Sequence, residues 1–212
     1  MKNTIFLAVF ILSFCVNAQE NVKYQKPSKE ILNLVEFERP PSVLYDEQKN
    51  YMVFIYRDNY KSISDLSENE LRLGGLRINP KTNIGSRVTF YNNVKIKNLN
   101  DKKGTINQVN GLPENPKLSN FSWSPDQTKI ALTNTTSEGV ELWLLDLKTG
   151  SVSKLTKPNL NANIGSVINW SSDSKSMLVK VISTNKKSLI NTSLIVPDGP
   201  TVSTNFGEKA QN

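Results

Sequence analysis

From residue 41 onward the apolar positions fall in short runs, often at every second residue, and Gly, Pro, Asn, Asp and Ser separate them. A period of two is the signature of strands, and few stretches carry the 3.6-residue spacing of a helix. The pattern predicts an all-β chain. Two of its segments repeat: FSWSPDQTKIALT (121–133) aligns with INWSSDSKSMLVK (168–180), placing Trp123 on Trp170, Ser124 on Ser171 and Asp126 on Asp173. The offset of 47 residues is close to the roughly 40–50 residues of one propeller blade.

The repeated unit has a physical logic. An inward aromatic closes a first strand, Ser-x-Asp makes a tight turn whose carboxylate accepts backbone N–H groups, and an apolar strand follows. Asp126 and Asp173 are therefore read as turn caps. The chain continues as GVELWLLDLKTGSVSKLT, where Val140, Leu142 and Leu144 are expected to alternate with outward residues. Asp146 to Gly150 is expected to form a hairpin turn, with Val152 and Leu155 opening the return strand. Trp123, Asp126, Trp143, Gly150, Trp170 and Asp173 are the structural markers of this pattern. A divergent earlier copy is read from PSVLYDEQKNYMVFIYRD (41–58) and VKIKNLNDKKGTINQVNGL (94–112), with Gly104 in the turn role of Gly150.

These matches predict a partial β-propeller: two four-stranded blades plus part of a third, with a short helical insertion in the first. The divisions are an N-terminal extension at 19–40, blade 1 at 41–118 with an insertion at 59–92, blade 2 at 119–160, a partial blade 3 at 161–196 and a polar tail at 197–212. Within the insertion, SISDLSENELRL predicts a short amphipathic helix presenting Ile63, Leu66 and Leu71. A propeller closes with typically four to eight blades, so the pattern reads as the N-terminal portion of a longer protein.

Composition narrows the chemistry. The chain has no histidine and one cysteine, so neither an imidazole-based triad nor an ordinary zinc site can be assembled from it. No metal or other cofactor is expected. The first twenty residues, MKNTIFLAVFILSFCVNAQE, carry Lys2, an apolar run from Ile5 to Val16 and small or neutral residues before Gln19. That is a secretory signal peptide over 1–18 with cleavage after Ala18, predicting a periplasmic or secreted protein. The run is shorter than the roughly 20 residues a spanning helix needs, so no membrane attachment is expected after cleavage. The formal net charge is +7, but the lysines are dispersed and interleaved with Asp and Glu. A solvated cationic surface is expected, with no nucleic-acid partner.

The string LRLGGLRINPKTNIGSR (71–87), followed by NGLP, then FSWSPDQTKIALTNTTSEGVELWLLD, LNANIG and WSSDSKSMLVK, resembles the start of secreted bacterial serine peptidases of the prolyl oligopeptidase family. The branch it resembles is the glutamyl endopeptidase-like one, which includes chloroplast glutamyl peptidases, and the resemblance runs from about Tyr24 to Asp198. It implies an N-terminal β-propeller that restricts which peptides reach a C-terminal α/β-hydrolase domain, so the partners it implies are peptide substrates and the missing hydrolase domain or remaining blades. No Gly-x-Ser-x-Gly elbow and no histidine occurs in this sequence, so no catalytic residue is carried over and the chain alone is not expected to hydrolyse peptides. The alternative is a stand-alone TolB-like periplasmic propeller binding protein.

The glycines and cations of residues 73–87 also invite a phosphate-loop reading, but no Gly-Lys-Ser or Gly-x-x-Gly spacing follows. The resemblance gives Arg72, Arg77 and Arg87 a different role, since a substrate glutamate side chain must be paired with cations when buried. The same arginines are equally suited to bind the chain's own carboxylates. Glu68 and Glu70 have an alternative role as ligands of a peptide amino terminus.

Overall fold

The computed structural model describes residues 25–102 and 104–188. The expected signal peptide over 1–18, the SLIV segment of the expected third blade and the expected polar tail lie outside these residues. Among the described residues, 25–39 belong to one unit, in which Lys29–Val35 is a seven-residue helix with no buried side chain. The residues described from Pro40 onward belong to a second unit, which holds every strand among the described residues.

The second unit is all-β. Strands β1 (Ser42–Tyr45), β2 (Tyr51–Tyr56), β3 (Leu71–Leu73), β4 (Leu76–Asn79), β5 (Ile84–Gly85), β6 (Asn93–Asn98) and β7 (Asn107–Gln108) occupy its first half. They are followed by β8 (Leu118–Trp123), β9 (Lys129–Thr135), β10 (Val140–Asp146), β11 (Ser151–Lys154), β12 (Ile168–Trp170) and β13 (Met177–Val179). Sheet 1 has the order β1-β2-β6-β7, and sheet 2 the order β8-β9-β10-β11, with every neighbour antiparallel. A third pair, β12-β13, and a small sheet, β3-β4-β5, complete the set.

Sheet 2 is buried on both faces, and its sequence shows why. On one face Ile130, Leu132 and Leu145 meet Val53, Ile55, Val94 and Ile96 of sheet 1. On the other, Ala131, Val140 and Leu142 meet Val167, Ile168 and Ile84. Alternate residues of β9 and β10 thus enter different cores, and full burial of each such aliphatic side chain contributes about 1.5–3 kcal/mol. The residues expected to point outward from β10 do not: Glu141 is 5% exposed and Leu145 1%. A second packed layer covers the face that a half-buried strand would give to water. Leu155 lies beyond the end of β11 and is exposed.

Three turns in the second unit share one geometry. Lys49 N–H donates to Asp46 O, Gln127 N–H to Ser124 O and Ser174 N–H to Ser171 O, at 3.0, 2.9 and 3.1 Å. The donors Lys49, Gln127 and Ser174 have φ of 56°, 59° and 59°, the left-handed region that non-glycine residues rarely enter. Each turn is closed by a bond five residues along, Asp46 to Tyr51, Ser124 to Lys129 and Ser171 to Ser176. Asp126 Oδ1 accepts from Ser124 Oγ at 2.7 Å and Thr128 N at 3.1 Å, and Asp173 Oδ1 accepts from Lys175 N at 2.9 Å. These bonds hold both carboxyls below their ordinary range.

The turns are also joined to one another. Glu47 N–H donates to Gln127 Oε1 at 3.3 Å, and Asp126 N–H donates to Ser174 Oγ at 2.9 Å. Trp170 adds a second link between neighbouring sheets, its Nε1 donating to Ser122 O at 3.2 Å. Trp123 and Trp143 pack against the core between sheets 1 and 2. Gly104 and Gly150 both take positive φ, 57° and 65°, at their hairpin turns.

The predicted amphipathic helix is a single turn, Ile63–Ser67, with no buried residue. Its N-cap is Ser62, which exchanges hydrogen bonds with Asp65 in a capping box. Ile63 and Leu66 are 86% and 70% exposed, and Leu71 belongs to β3. With five residues the helix offers no continuous apolar stripe, so it is held by its cap and its charges.

Candidate functional site

The segment 57–92 leaves sheet 1 after β2 and returns at β6, which pairs directly with β2. Its centre is a hairpin in which Gly74 and Gly75, at φ of 52° and 90°, join β3 to β4. A two-residue connection with positive φ at both positions is the turn that matches strand twist, and glycine takes it without steric cost. Open space surrounds the position of a Cβ at either glycine, so backbone conformation alone explains them. Asn79 makes the next turn, its Oδ1 accepting from Lys81 N at 3.0 Å and Thr82 N at 3.2 Å.

The hairpin register sets Arg72 directly opposite Arg77. Two guanidinium groups on neighbouring strands repel unless an anion lies between them. Glu70 supplies it: Oε1 accepts from Arg72 Nε at 2.9 Å and from Arg77 Nη1 at 2.8 Å, while Oε2 accepts from the Ser86 hydroxyl. The Ser86 hydrogen bond, against some burial and with the help of both arginines, brings the Glu70 carboxyl down to about 2. Glu70 is thereby committed as an acceptor to one hydroxyl and two guanidinium groups.

Arg72, Arg77 and Arg87 line one cavity of about 370 Å³ together with Lys61, Asp65, Glu68 and Glu70. Four cations and three carboxylates leave it one formal positive charge. Arg72 and Arg77 are already bound to Glu70, whereas Arg87 is exposed and has no carboxylate partner among the described residues. Glu68 accepts from the Asn79 amide and lies 3.9 Å from Lys117 Nζ. Both glutamates are thus engaged within the chain, an arrangement poorly suited to capturing a peptide amino terminus.

Sequence reasoning missed the residues that enter from a distance. Lys117, just before β8, reaches Asp65 Oδ1 at 2.5 Å and sits 5.8 Å from the Phe90 ring centroid. Lys117, followed by the Ser62 cap, holds the Asp65 carboxyl below its ordinary range. Lys61 Nζ donates to Ser86 O at 3.1 Å. No local pattern links position 65 to position 117, so only the fold brings them together.

No protein-family model matches the chain. In sequence it is similar to two plant proteins, each named "Probable glutamyl endopeptidase, chloroplastic". The one from Oryza sativa subsp. japonica is 30% identical over 143 residues, covering 63% of this chain and 15% of that protein. The one from Arabidopsis thaliana is 28% identical over 188 residues, covering 84% of this chain and 19% of that protein. The chain spans less than a fifth of the length of either relative. Among solved structures, an acylaminoacyl peptidase from Pyrococcus horikoshii is 20% identical with a TM-score of 0.35, covering 69% of this chain and 18% of its own. Both plant relatives are thus named as peptidases.

Proposed function

We propose that this chain is the non-catalytic N-terminal β-propeller part of a secreted serine peptidase of the prolyl oligopeptidase family, gating peptide access to an α/β-hydrolase domain. The observation that carries this reading is the match to the Arabidopsis thaliana glutamyl endopeptidase over 84% of the chain. Two further features support it. The two four-stranded antiparallel sheets and the pair β12-β13 are joined turn to turn by Glu47–Gln127 and Asp126–Ser174, as successive blades would be. The absence of histidine removes the imidazole that such a peptidase requires, so catalysis would fall to another part of the molecule.

In this reading Arg87 and the exposed side of Arg72 receive the carboxylate of a substrate glutamate, while Glu70 keeps Arg77 and Arg72 in place. A chimaera in which this chain replaces the matching segment of the Arabidopsis thaliana protein tests both statements. It should cleave short glutamate-containing peptides and leave a folded protein intact, and Arg87→Ala should raise KM for those peptides with kcat little changed. Equal cleavage of folded and short substrates would overturn the gating role. An unchanged KM would overturn the role of Arg87. Export through a signal cleaved after Ala18 predicts Gln19 as the first residue of the protein recovered from the cell envelope or medium, which N-terminal sequencing reads directly.

A further inference from the structure

The arginine cavity can attract a carboxylate only if its own carboxylates are engaged elsewhere. Arg72 and Arg77 share Glu70. Lys61 Nζ donates to a carbonyl, Ser86 O, and neither Lys61 nor Arg87 has a carboxylate partner among the described residues. Asp65 and Glu68 line the same cavity and are its two carboxylates not bound to an arginine. What holds them is Lys117, with Nζ 2.5 Å from Asp65 Oδ1 and 3.9 Å from Glu68 Oε1. The other Asp65 oxygen accepts from the Ser62 N–H and hydroxyl.

Lys117 acts from outside the arginine cavity. It lines a neighbouring cavity of about 420 Å³, which shares Lys61, Asp65, Glu68 and Ser86 with the first. Its backbone is fixed to β9: Lys117 N–H donates to Asn134 Oδ1 at 3.0 Å, and Thr135 N–H donates to Lys117 O at 3.0 Å. Asn134 in turn donates to Glu141, the buried carboxylate of β10. The cation is therefore anchored in sheet 2, whereas the carboxylates it meets belong to the single-turn helix and its C-cap, Glu68. Removing that cation would leave Asp65 and Glu68 unneutralised in the cavity that holds Lys61 and Arg87, and opposite charges a few ångströms apart attract by a few kcal/mol or less near a surface.

We infer that Lys117 is a positioning residue of the arginine cavity: by binding Asp65 and Glu68 from the neighbouring cavity, it withholds them from Lys61 and Arg87 and keeps those cations for an incoming carboxylate. The inference rests on the carboxylate-binding reading of Arg87 and adds the residue that keeps this cation unpaired. The probe is N-acetylglutamic acid α-amide, whose one carboxylate is on the side chain, titrated against the full chain by ligand-observed NMR with N-acetylglutamine amide as the neutral control. The wild type should prefer the carboxylate. Lys117→Met keeps an aliphatic stem beside Phe90 and removes the charge, and it should weaken carboxylate binding about three- to tenfold. Lys117→Arg should leave it nearly unchanged. Combining Lys117→Met with Asp65→Asn removes the freed carboxylate as well, and affinity should return to within about twofold of the wild type.

That recovery separates charge from scaffolding, because a lysine that only braces the insertion would leave the double variant as weak as Lys117→Met. An undiminished affinity in Lys117→Met, or no recovery in the double variant, overturns the inference. Arg87→Ala run alongside distinguishes the two readings. If Arg87→Ala loses affinity and Lys117→Met does not, the role of Lys117 falls and that of Arg87 stands; the reverse result removes Arg87 and leaves Lys117 acting on Lys61. A wild-type chain with no preference for the carboxylate over the neutral amide overturns both.

Discussion

Sheet 2 and the hairpin sheet β3-β4-β5 are built on different forces. In sheet 2, alternate residues of β9 and β10 enter two separate apolar cores. The hairpin sheet instead turns on Gly74-Gly75 and carries Arg72 and Arg77 bound to one glutamate, with Leu73 and Leu76 exposed. The contrast teaches where each region is vulnerable. Loss of volume should damage the first, whereas charge, salt and pH should act on the second.

The largest effect is expected at Leu132, 1% exposed in the core shared with sheet 1. Leu132→Ala should cost about 2–5 kcal/mol and lower the denaturant midpoint, whereas Leu73→Ala on the exposed hairpin should leave that midpoint nearly unchanged. Equal losses at the two positions would erase the contrast.

A buried charge inside sheet 2 comes next. Glu141 is pushed upward by burial, but hydrogen bonds from Lys154 at 2.5 Å, Trp143 Nε1 at 2.9 Å and Asn134 at 3.2 Å outweigh it and hold the carboxyl below its ordinary range. Glu141→Ala should cost about 2–3 kcal/mol, because the Trp143 and Asn134 donors lose a charged acceptor. Trp143 fluorescence during chemical unfolding reads this loss at the affected side chain.

Smaller and more local is the response of the hairpin to acid. The folded Glu70 carboxyl is depressed from 4.5 to about 2, so its stabilising contribution is present above 4.5 and is lost as pH falls through about 2. Amide exchange in β3 and β4 should accelerate over that window in the wild type, and the response should be flattened in Glu70→Gln. Added salt should weaken the same exposed pairs and leave amide exchange in β9 and β10 unchanged.

How much the sequence revealed follows the same division. The apolar run of KIALT and the alternation of Val140, Leu142 and Leu144 predict strands β9 and β10, and Gly104 and Gly150 mark turns, because these signals are local. The burial of Glu141 was hidden because a carboxylate reads as facing water, although apolar Trp143 and Leu145 at the other outward positions fit a strand covered on both faces. The short helix is legible in SISDLSENELRL, but its cap is visible only in the bonds that Ser62 exchanges with Asp65. At the cavity, the arginines stand out within one short string, but Lys117 beside Asp65 is a product of long-range packing.

The joined turns have a consequence for order along the chain. Each junction runs one way: the earlier turn gives an N–H, and the later turn gives a side-chain oxygen. The two acceptors differ in reach, a long glutamine at 127 and a short serine at 174, so the connectors are keyed rather than interchangeable. Exchanging Gln127 with Ser174 would leave the first junction too short and crowd the second. The succession of sheets is thereby written in the length of two side chains, in addition to the connectivity of the backbone.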